Sequence, residues 1–327
     1  MKRIDQYWGG WNWLTLLLLP LSLLFCMLVF LRRWCYRLGL LKSTRLPVPV
    51  IVVGNISVGG TGKTPLVIWL ARWLQQRGMQ PGILIRGYGG RAADGPCQVA
   101  ADTPAWEAGD EAVLLSRRTG CPVYIGRDRR KSGALLLSEQ PCDVIIADDG
   151  LQHYALRRDV ELAVIDGERR FGNGLCLPAG PLREPRSRLE SVDLVICNGT
   201  PQAGEHAMRV AGTQAVSLDG RQPARSLEAF AGGPVEAIAG IGNPERFFTT
   251  LESAGLSITR HRFPDHHPYS EKDLAPFRGK TVLMTEKDAV KCELFSVDGI
   301  WYIPADASFD ESFTQQLELL FERLIHG

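Results

Sequence analysis

The chain has 327 residues, enough for two domains of ordinary size that each bury a core of their own. Its 37 lysines and arginines nearly balance 36 aspartates and glutamates. The protein therefore has no strong overall charge that would attract nucleic acid, and no nucleic-acid partner is expected. The eight cysteines contain no C-x-x-C pair, which argues against a zinc site or a disulfide framework and favours a reducing compartment.

An apolar, uncharged segment from Trp11 to Leu31 predicts an N-terminal membrane anchor, because about 20 such residues cross a hydrocarbon layer of about 30 Å. A cleaved signal peptide is the first alternative, but the apolar core is long and no A-x-A-like site follows it. A tilted helix or one lying at the interface is a second alternative.

Basic residues after this segment outnumber those before it, which predicts that the rest of the chain is cytoplasmic. They are Arg32, Arg33, Arg37, Lys42 and Arg45, against Lys2 and Arg3. Together with Trp34 and Tyr36 this cluster either binds anionic lipid head groups or only sets the topology.

The segment from Val48 to Gly78 predicts a buried strand, a glycine-rich turn and a helix. The turn predicts a phosphate-binding loop in which Lys63 supplies a cation and Thr64 a hydroxyl for Mg²⁺. Ser57 stands where the usual pattern has its first glycine, and a tight turn with a surface lysine is the alternative. The nucleotide-binding loop residues are Gly59, Gly60, Thr61, Gly62, Lys63 and Thr64.

Further apolar runs alternate with helical stretches, as in a parallel sheet covered by helices. Gly82 to Ile85 is a predicted strand that leads into R-G-Y-G-G. Asp110 is predicted to open a helix, and a simple helix N-cap is the alternative to a functional role for it. Pro122 to Ile125 is a strand before the basic loop G-R-D-R-R-K, which suits either a polyphosphate or plain solvent.

Asp148 and Asp149 follow the apolar strand Val144 to Ala147. Two adjacent carboxylates beside a phosphate loop repel each other without a cation, so a metal is predicted there; two turn aspartates are the alternative. Strands at Leu162 to Ile165 and Leu194 to Cys197 flank a long Gly/Pro-rich loop, predicted to be functional, that ends in Arg183 and Glu184.

A domain boundary is predicted near residues 200–215, dividing the chain into an anchor (1–40), a phosphate-loop domain (41–205) and a smaller α/β domain (206–327). Predicted elements of the last domain are strands at 235–241, 256–263, 282–285 and 302–304 and helices at 244–254 and 313–325. Asp265, His266 and His267 follow one strand; as immediate neighbours they are a poor metal site.

Several segments in this order resemble tetraacyldisaccharide 4'-kinase, the lipid A 4'-kinase of Gram-negative bacteria. They are G-N-I-S-V-G-G-T-G-K-T-P, R-G-Y-G-G, G-D-E, D-D-G-L-Q-H, N-G-x-x-L-P-A-G-P-L-R-E-P, D-H-H and V-L-M-T-E-K-D-A-V-K. The resemblance runs from the anchor to about residue 305.

The resemblance implies an α/β fold of two α/β/α domains, the first a phosphate-loop NTPase-like parallel sheet, after an N-terminal membrane helix. It implies that ATP, with Mg²⁺, phosphorylates the 4'-hydroxyl of a tetraacylated glucosamine disaccharide 1-phosphate at the inner leaflet of the bacterial inner membrane. The catalytic domains would be cytoplasmic, and no obligatory protein partner is inferred.

The resemblance also assigns roles to residues. Lys63 would steady the phosphates, Asp110 would be the general base and His266, rather than His267, its partner. Metal binding would fall to Thr64, Asp148, Asp149 and Glu184, and contacts with nucleotide or substrate to Arg86, Tyr88, Arg127 and Arg129. The alternative function is a membrane-tethered nucleotide switch or partitioning-type ATPase acting on a protein partner. Such a protein does not require a base like Asp110 with His266.

Overall fold

A computed structural model describes residues 7–88, 90, 95–295 and 298–326. The helices within these residues are α1 Trp13–Arg37, α2 Lys63–Gln75, α3 Ala105–Ala108, α4 Asp110–Thr119, α5 Arg129–Glu139, α6 Pro244–Ser253, α7 Glu271–Leu274, α8 Glu286–Cys292 and α9 Glu311–His326. Short 3₁₀ helices lie at Arg186–Ser191, Leu227–Phe230 and Ala275–Phe277.

The larger sheet has nine strands in the described part of the chain, in the order β15-β8-β7-β6-β1-β5-β2-β4-β3. All neighbours pair in parallel except at the edges, where β3 and β15 run antiparallel to their partners. The strands are β1 Val50–Gly54, β2 Pro81–Ile85, β3 Cys97–Val99, β4 Val123–Ile125, β5 Val144–Asp148, β6 Val160–Asp166, β7 Leu194–Asn198, β8 His206–Ala211 and β15 Asp306–Phe309.

Strand β1 lies at the centre, between β5 and β6. Its residues are all buried because helices or loops cover both faces of the sheet, which explains its continuous apolar sequence. The register pairs Val53 with Asp148, so the phosphate loop after β1 and the acidic tip of β5 leave the sheet side by side.

The smaller sheet has six strands in the described residues, in the order β10-β9-β14-β13-β11-β12. Strands β11 to β14 pair in parallel, and β9 and β10 are added antiparallel at one edge. The strands are β9 Gln214–Ser217, β10 Arg225–Ser226, β11 Val235–Ala239, β12 Ile258–Arg262, β13 Val282–Thr285 and β14 Ile300–Ile303. Two separate apolar clusters cover its two faces.

The chain returns to the larger sheet at its C-terminus, which differs from the predicted boundary at residue 206. Strands β8 and β15 extend that sheet, and α9 packs Phe313, Leu317 and Phe321 into its core. The ring of Phe313 lies 5.6 Å from that of Trp69 on α2. The residues of the smaller sheet, 214–303, are therefore an insertion between strands of the larger one.

Helix α1 packs lengthwise on the larger domain instead of projecting from it. Trp8 Nε1, just before the helix, donates to the carbonyl of Pro178 at 3.0 Å, and Ser22 Oγ donates to the carbonyl of Cys176 at 2.7 Å. Near the other end, Arg33 donates to Ser191 Oγ at 2.6 Å. Most of the remaining helix surface before Arg32 is apolar and exposed, including Trp13, Leu17, Leu24, Met27, Leu28 and Leu31, and Trp34 is exposed near the end.

Candidate active site

The phosphate loop is held open by side chains that bind its carbonyl groups. Asn55 Nδ2 donates to the carbonyl of Gly59 at 3.3 Å, and Asn198 Nδ2 donates to that of Thr61 at 3.1 Å. Arg169 donates to the carbonyl of Gly60. With its carbonyls bound from outside, the loop has its backbone N–H groups and the N-terminus of α2 available for an anion.

Gly62 is the position in this loop that most needs glycine. Its φ is +98°, and a Cβ there would lie 2.5 Å from Asn198 Nδ2 and 2.9 Å from Met208 Cε. It precedes Lys63, the first residue of α2. The predicted nucleotide loop is thus a turn that glycine adopts without strain, and it brings Lys63 and Thr64 to the cavity described below.

The smaller domain touches the phosphate loop through the turn after β11. A Cβ at Gly242 would lie 2.9 Å from the backbone nitrogen of Gly60. The sequence contains G-I-G at 240–242, but its role could not be predicted, because its contact with the phosphate loop joins residues that are far apart in the chain. The structure assigns this turn to the wall of the site.

Lys63 contacts Asp149, with 3.4 Å between Lys63 Nζ and Asp149 Oδ1. Arg183 Nη1 also donates to Asp149, at 3.0 Å from Oδ2. Burial alone would raise the pKa of Asp149, but Lys63 and Arg183 outweigh it and lower that pKa to about 2. Asp149 is therefore ionised and holds both cations in place beside the loop.

Asp148 is fully enclosed and has the opposite protonation behaviour. Burial, followed by the charges of Glu111 and Asp149, raises its pKa to about 7, although Lys63 acts against them. Such a carboxylate gains from a cation, which fits the predicted metal. In the part of the chain described here, no three or more His, Cys, Asp or Glu side chains form a ready-made metal cluster.

Glu184 lies in the cavity wall with partners from the chain itself. Its Oε2 accepts from Gln152 Nε2 at 2.8 Å, its Oε1 accepts from the hydroxyl of Tyr154, and Arg188 Nε lies 3.7 Å away. His153, between Gln152 and Tyr154 in the chain, also lines the cavity. Burial and the charge of Arg129 lower its pKa to about 4.

Asp110 and His266 come together although 156 residues separate them. His266 Nδ1 lies 3.2 and 3.1 Å from the two carboxylate oxygens of Asp110. Asp110 begins α4, and His266 adopts a left-handed φ of +59° in the loop after β12. That loop belongs to the smaller domain, so the pair forms only where the two sheets meet.

Two lysines of α8 surround this pair, and sequence reasoning did not assign them. Lys287 Nζ lies 4.0 Å from Asp110 Oδ2, as does Lys291 Nζ, and Lys287 also contacts Glu111 at 3.1 Å. The signal was present in the T-E-K-D-A-V-K segment, because residues four apart share one helix face.

These charges set the protonation of the pair. Burial alone would raise the pKa of Asp110, but the hydrogen bond with His266 and the lysine charges lower it below its usual value. The same hydrogen bond raises the pKa of His266. Glu111, Asp110 and Asp265 together raise the pKa of Lys287 despite its burial. Asp110 is therefore a carboxylate at neutral pH.

One cavity of about 1030 Å³ joins the phosphate loop to His266, whereas Asp110 is only 5% exposed and is not among the described residues that line it. Lys63, Thr64, Glu111 and His266 all line it, and Phe25, Val29 and Arg32 of α1 form part of its wall. Among the predicted contact residues, Arg86, Tyr88, Arg127 and Arg129 reach the same cavity.

Arg129 and Tyr88 differ in their surroundings. Arg129 is buried and donates from Nη2 to the carbonyl of Asp148 at 2.9 Å, so it supports the acidic strand end. Tyr88 is 64% exposed, with its ring 6.3 Å from that of His266 and 5.5 Å from the Arg86 guanidinium. Tyr88 and Arg86 therefore form an open rim of the cavity.

A phosphate loop on a parallel sheet, facing a buried carboxylate and histidine across one cavity, is the arrangement of a phosphate-loop phosphotransferase. The family model described as tetraacyldisaccharide-1-P 4'-kinase matches residues 14–322. The chain belongs to this family.

Individual relatives agree with that assignment. The chain is 51% identical to tetraacyldisaccharide 4'-kinase of Nitrosococcus oceani, over 98% of this chain and 94% of the relative. It is 50% identical to the enzyme of the same name from Methylobacillus flagellatus, over 99% and 97%. The structure of LpxK from Aquifex aeolicus in complex with ATP superposes with a TM-score of 0.79 at 29% identity, covering 95% of this chain and 99% of that one.

The family match confirms the predicted resemblance, the kinase class and the α/β phosphate-loop fold, and it decides against the nucleotide-switch alternative. The individual roles of the site residues remain predictions.

Proposed function

We propose that this chain transfers the γ-phosphoryl group of ATP to the 4'-hydroxyl of a tetraacylated disaccharide 1-phosphate, with Asp110 as general base. The observation that carries the residue roles is the contact between Asp110 and His266 at the cavity that also holds Lys63. This is the step of lipid A assembly implied by the sequence resemblance.

Asp110 would accept the proton of the sugar hydroxyl as the hydroxyl oxygen attacks phosphorus. A sugar hydroxyl is a weak nucleophile until its proton has an acceptor, and a base typically contributes about 10²–10⁴-fold. His266 orients the carboxylate through Nδ1, and Lys287 with Lys291 keeps it ionised. The proton taken from the sugar resides on Asp110, because His266 Nδ1 already carries the hydrogen that it donates to the carboxylate and Lys287 Nζ lies 3.5 Å from Nε2.

The phosphate loop fits ATP, and the acidic strand end fits Mg²⁺. Thr64 supplies a hydroxyl, and Asp148 is a buried carboxylate whose charged form needs a cation. Asp149 contacts Lys63, and Glu184 accepts from Gln152. We therefore propose that their main role is to hold Lys63 and the strand end in place. Either carboxylate can still contact the metal through an oxygen lone pair that these partners do not use. Bound Mg²⁺ neutralises charge on the phosphates during transfer.

The lipid character of the acceptor is supported by the wall that α1 contributes. Phe25 and Val29 add apolar surface to a cavity whose lining also includes Leu177 and Phe247, and Arg32 lies on the same wall as the first two. A disaccharide head could lie over the polar floor while its acyl chains follow the apolar helix. The exposed leucines and tryptophans of α1 continue that apolar surface outward.

For the membrane, we propose that α1 lies along the inner-membrane surface with the catalytic domains on the cytoplasmic side. Its length, with a mean hydropathy of 2.7 over its most apolar 18 residues, would allow it to span. However, hydrogen bonds to the catalytic domain occur before the helix, at its middle and near its end, at Trp8, Ser22 and Arg33. A spanning helix would have to break those at Trp8 and Ser22, whereas an interfacial helix keeps all three.

The function is tested by incubating detergent-solubilised protein with γ-labelled ATP, Mg²⁺ and the tetraacylated disaccharide 1-phosphate. Label in the lipid at the 4' position is expected, and it should disappear with Asp110→Asn while ATP still binds. Label found only in inorganic phosphate would contradict the proposal. If Asp110→Asn phosphorylates the lipid as fast as the parent, Asp110 is not the general base, although the proposed reaction would still be correct.

A further inference from the structure

A second cavity lies beside the C-terminal end of α1, next to the loop before β6 and the 3₁₀ helix after Glu184. Its volume is about 320 Å³. Five arginines and three carboxylates line it: Arg33, Arg37, Arg157, Arg158 and Arg188 with Asp159, Glu161 and Asp193. The balance of charge is positive, and no step of the phosphoryl transfer uses this cavity.

The three carboxylates are occupied by the fold. Glu161 accepts hydrogen bonds from both Arg158 and Arg188. Asp193 accepts the backbone N–H of Glu161 at 2.8 Å, and Asp159 accepts the first backbone N–H of β1 at 2.9 Å. Two of the five arginines are therefore paired with Glu161, and the two remaining acids accept from backbone groups, with Asp159 also 3.4 Å from Arg45.

The other three arginines have no such partner. Arg33 donates to Ser191 Oγ at 2.6 Å, a neutral acceptor. Within the described ranges, no carboxylate lies at ion-pair distance from Arg33, Arg37 or Arg157. Three guanidinium groups around one concave surface match a phosphate group, which accepts paired N–H donors from arginine.

The position of the cavity indicates where that phosphate comes from. Arg37 is the last residue of α1, and the exposed apolar side chains of Leu28, Leu31 and Trp34 precede it by one to three turns. If those side chains enter the lipid, the cavity opens at head-group level.

We propose that this cavity binds the phosphate group of an anionic glycerophospholipid, seating the enzyme on the membrane independently of its substrate. The inference rests on the proposed surface position of α1. Arg157 is its most diagnostic residue, because it belongs to the catalytic domain, about 120 residues away from the basic flank of the anchor. A flank that merely attracts anionic lipid through its overall charge has no need of Arg157.

The test is flotation of the full-length protein with phosphatidylcholine vesicles made with and without phosphatidylglycerol. Arg157→Gln should weaken partitioning onto the phosphatidylglycerol vesicles by more than the about 5-fold that losing one surface charge causes, and leave partitioning onto pure phosphatidylcholine unchanged. Arg157→Lys, which keeps the charge but not the paired donors, should also bind more weakly than the parent. Lys42→Gln is the matched control, since it removes one charge from the flank outside the cavity and should have a smaller effect.

Equal losses for Lys42→Gln and Arg157→Gln, or parental binding by Arg157→Lys, would overturn the proposal in favour of diffuse attraction.

Titration of inorganic phosphate without vesicles separates a lipid site from a free-phosphate site. Arg157-dependent binding of phosphate alone would overturn the lipid assignment, and none is expected. If Arg157→Gln increases the KM for the disaccharide substrate in zwitterionic micelles and leaves flotation unchanged, the cavity binds the substrate and not a membrane phospholipid, and the proposal is overturned. Flotation needs no turnover, so its outcome is independent of the kinase proposal.

Discussion

Lys287 Nζ lies 3.5 Å from His266 Nε2, the ring nitrogen opposite the one that contacts Asp110. A cation at Nε2 disfavours a second ring proton, and the same cation lies 4.0 Å from Asp110. Lys287 therefore lowers the pKa of both members of the pair, while the contact between them acts oppositely on each.

Replacing Lys287 by Met should move the acidic limb of the kcat/KM profile to higher pH. Asp110 then loses a positive neighbour, so protonation of the carboxylate begins at a higher pH and less base is available. Lys287→Arg should restore the parental profile by restoring the charge. The limb reports the coupled pair, not one residue. An unchanged pH profile with a lower kcat would limit Lys287 to a structural role.

Asp110→Asn should reduce kcat by about 10²–10⁴-fold and leave the Kd for ATP close to that of the parent, because the lost interaction belongs to the transition state. Single-turnover phosphorylation and calorimetric ATP titration measure the two quantities. Asp265→Asn is a suitable control, since Asp265 lies in the same cavity but 3.9 Å from the other ring nitrogen of His266. Comparable losses in both variants would argue against a specific base.

Gly62→Ala should destabilise the protein by about 1–3 kcal/mol and abolish measurable ATP binding, because φ is +98° and the new Cβ meets Asn198. Gly60→Ala is the matched control in the same loop: its φ is not positive, and the nearest neighbour would be Gly242 Cα at 3.9 Å. Thermal unfolding of both variants without nucleotide separates backbone strain from loss of ligand. Equal midpoints would show that a Cβ at position 62 causes no strain.

Much of this site follows from the sequence, because local patterns define it. The strand, glycine turn and helix around Lys63 lie within one continuous segment, and Asp110 is the first residue of a helix, as predicted. Asp148 ends a buried strand beside that segment.

What the sequence could not predict are relations between distant segments. Placement of β8, β15 and α9 with the larger sheet depends on strand pairing across about 100 residues, which periodicity does not encode. Lys287 has the same explanation, since its partners Asp110 and Glu111 lie on a helix of the other domain. The packing of α1 on the larger domain is also non-local, because an apolar segment of that length has the same sequence pattern whether it packs there or spans a membrane.

The contribution of Asp148 to the stability of the protein without nucleotide and metal should fall as the pH rises from about 4 to 7, while half-buried His153, with a folded pKa of about 4, acts in the opposite direction. Asp148 has a pKa of about 7 in the folded protein, above that of an unfolded aspartate, so the folded state binds the extra proton in this range and loses that advantage above it. Unfolding followed in EDTA across this range measures the slope. The stability of the parent relative to Asp148→Asn should fall across this range, and the variant should be the more stable of the two at pH 8.

Asp149 should act in the opposite direction at lower pH. Its folded pKa of about 2 lies below the unfolded value, so its contribution is complete above about pH 4 and is lost as the pH falls toward 2. Asp149→Asn should therefore destabilise the protein at neutral pH, and the difference from the parent should shrink in acid. A difference that stays constant with pH would show that packing, not charge, causes the loss.

The position of α1 can be decided by where residue 10 is found. Gly10 is exposed, and a Cβ there meets no atom within 4 Å, so Gly10→Cys should be tolerated. If α1 lies on the cytoplasmic surface, a membrane-impermeant thiol reagent should label this cysteine in inverted inner-membrane vesicles and not in intact spheroplasts. Lys42→Cys gives the cytoplasmic reference, and the parent gives the background from native cysteines. Labelling of Gly10→Cys from the periplasmic side would mean that the helix spans, and the hydrogen bonds of Trp8 and Ser22 to the catalytic domain would then have to be broken in the membrane.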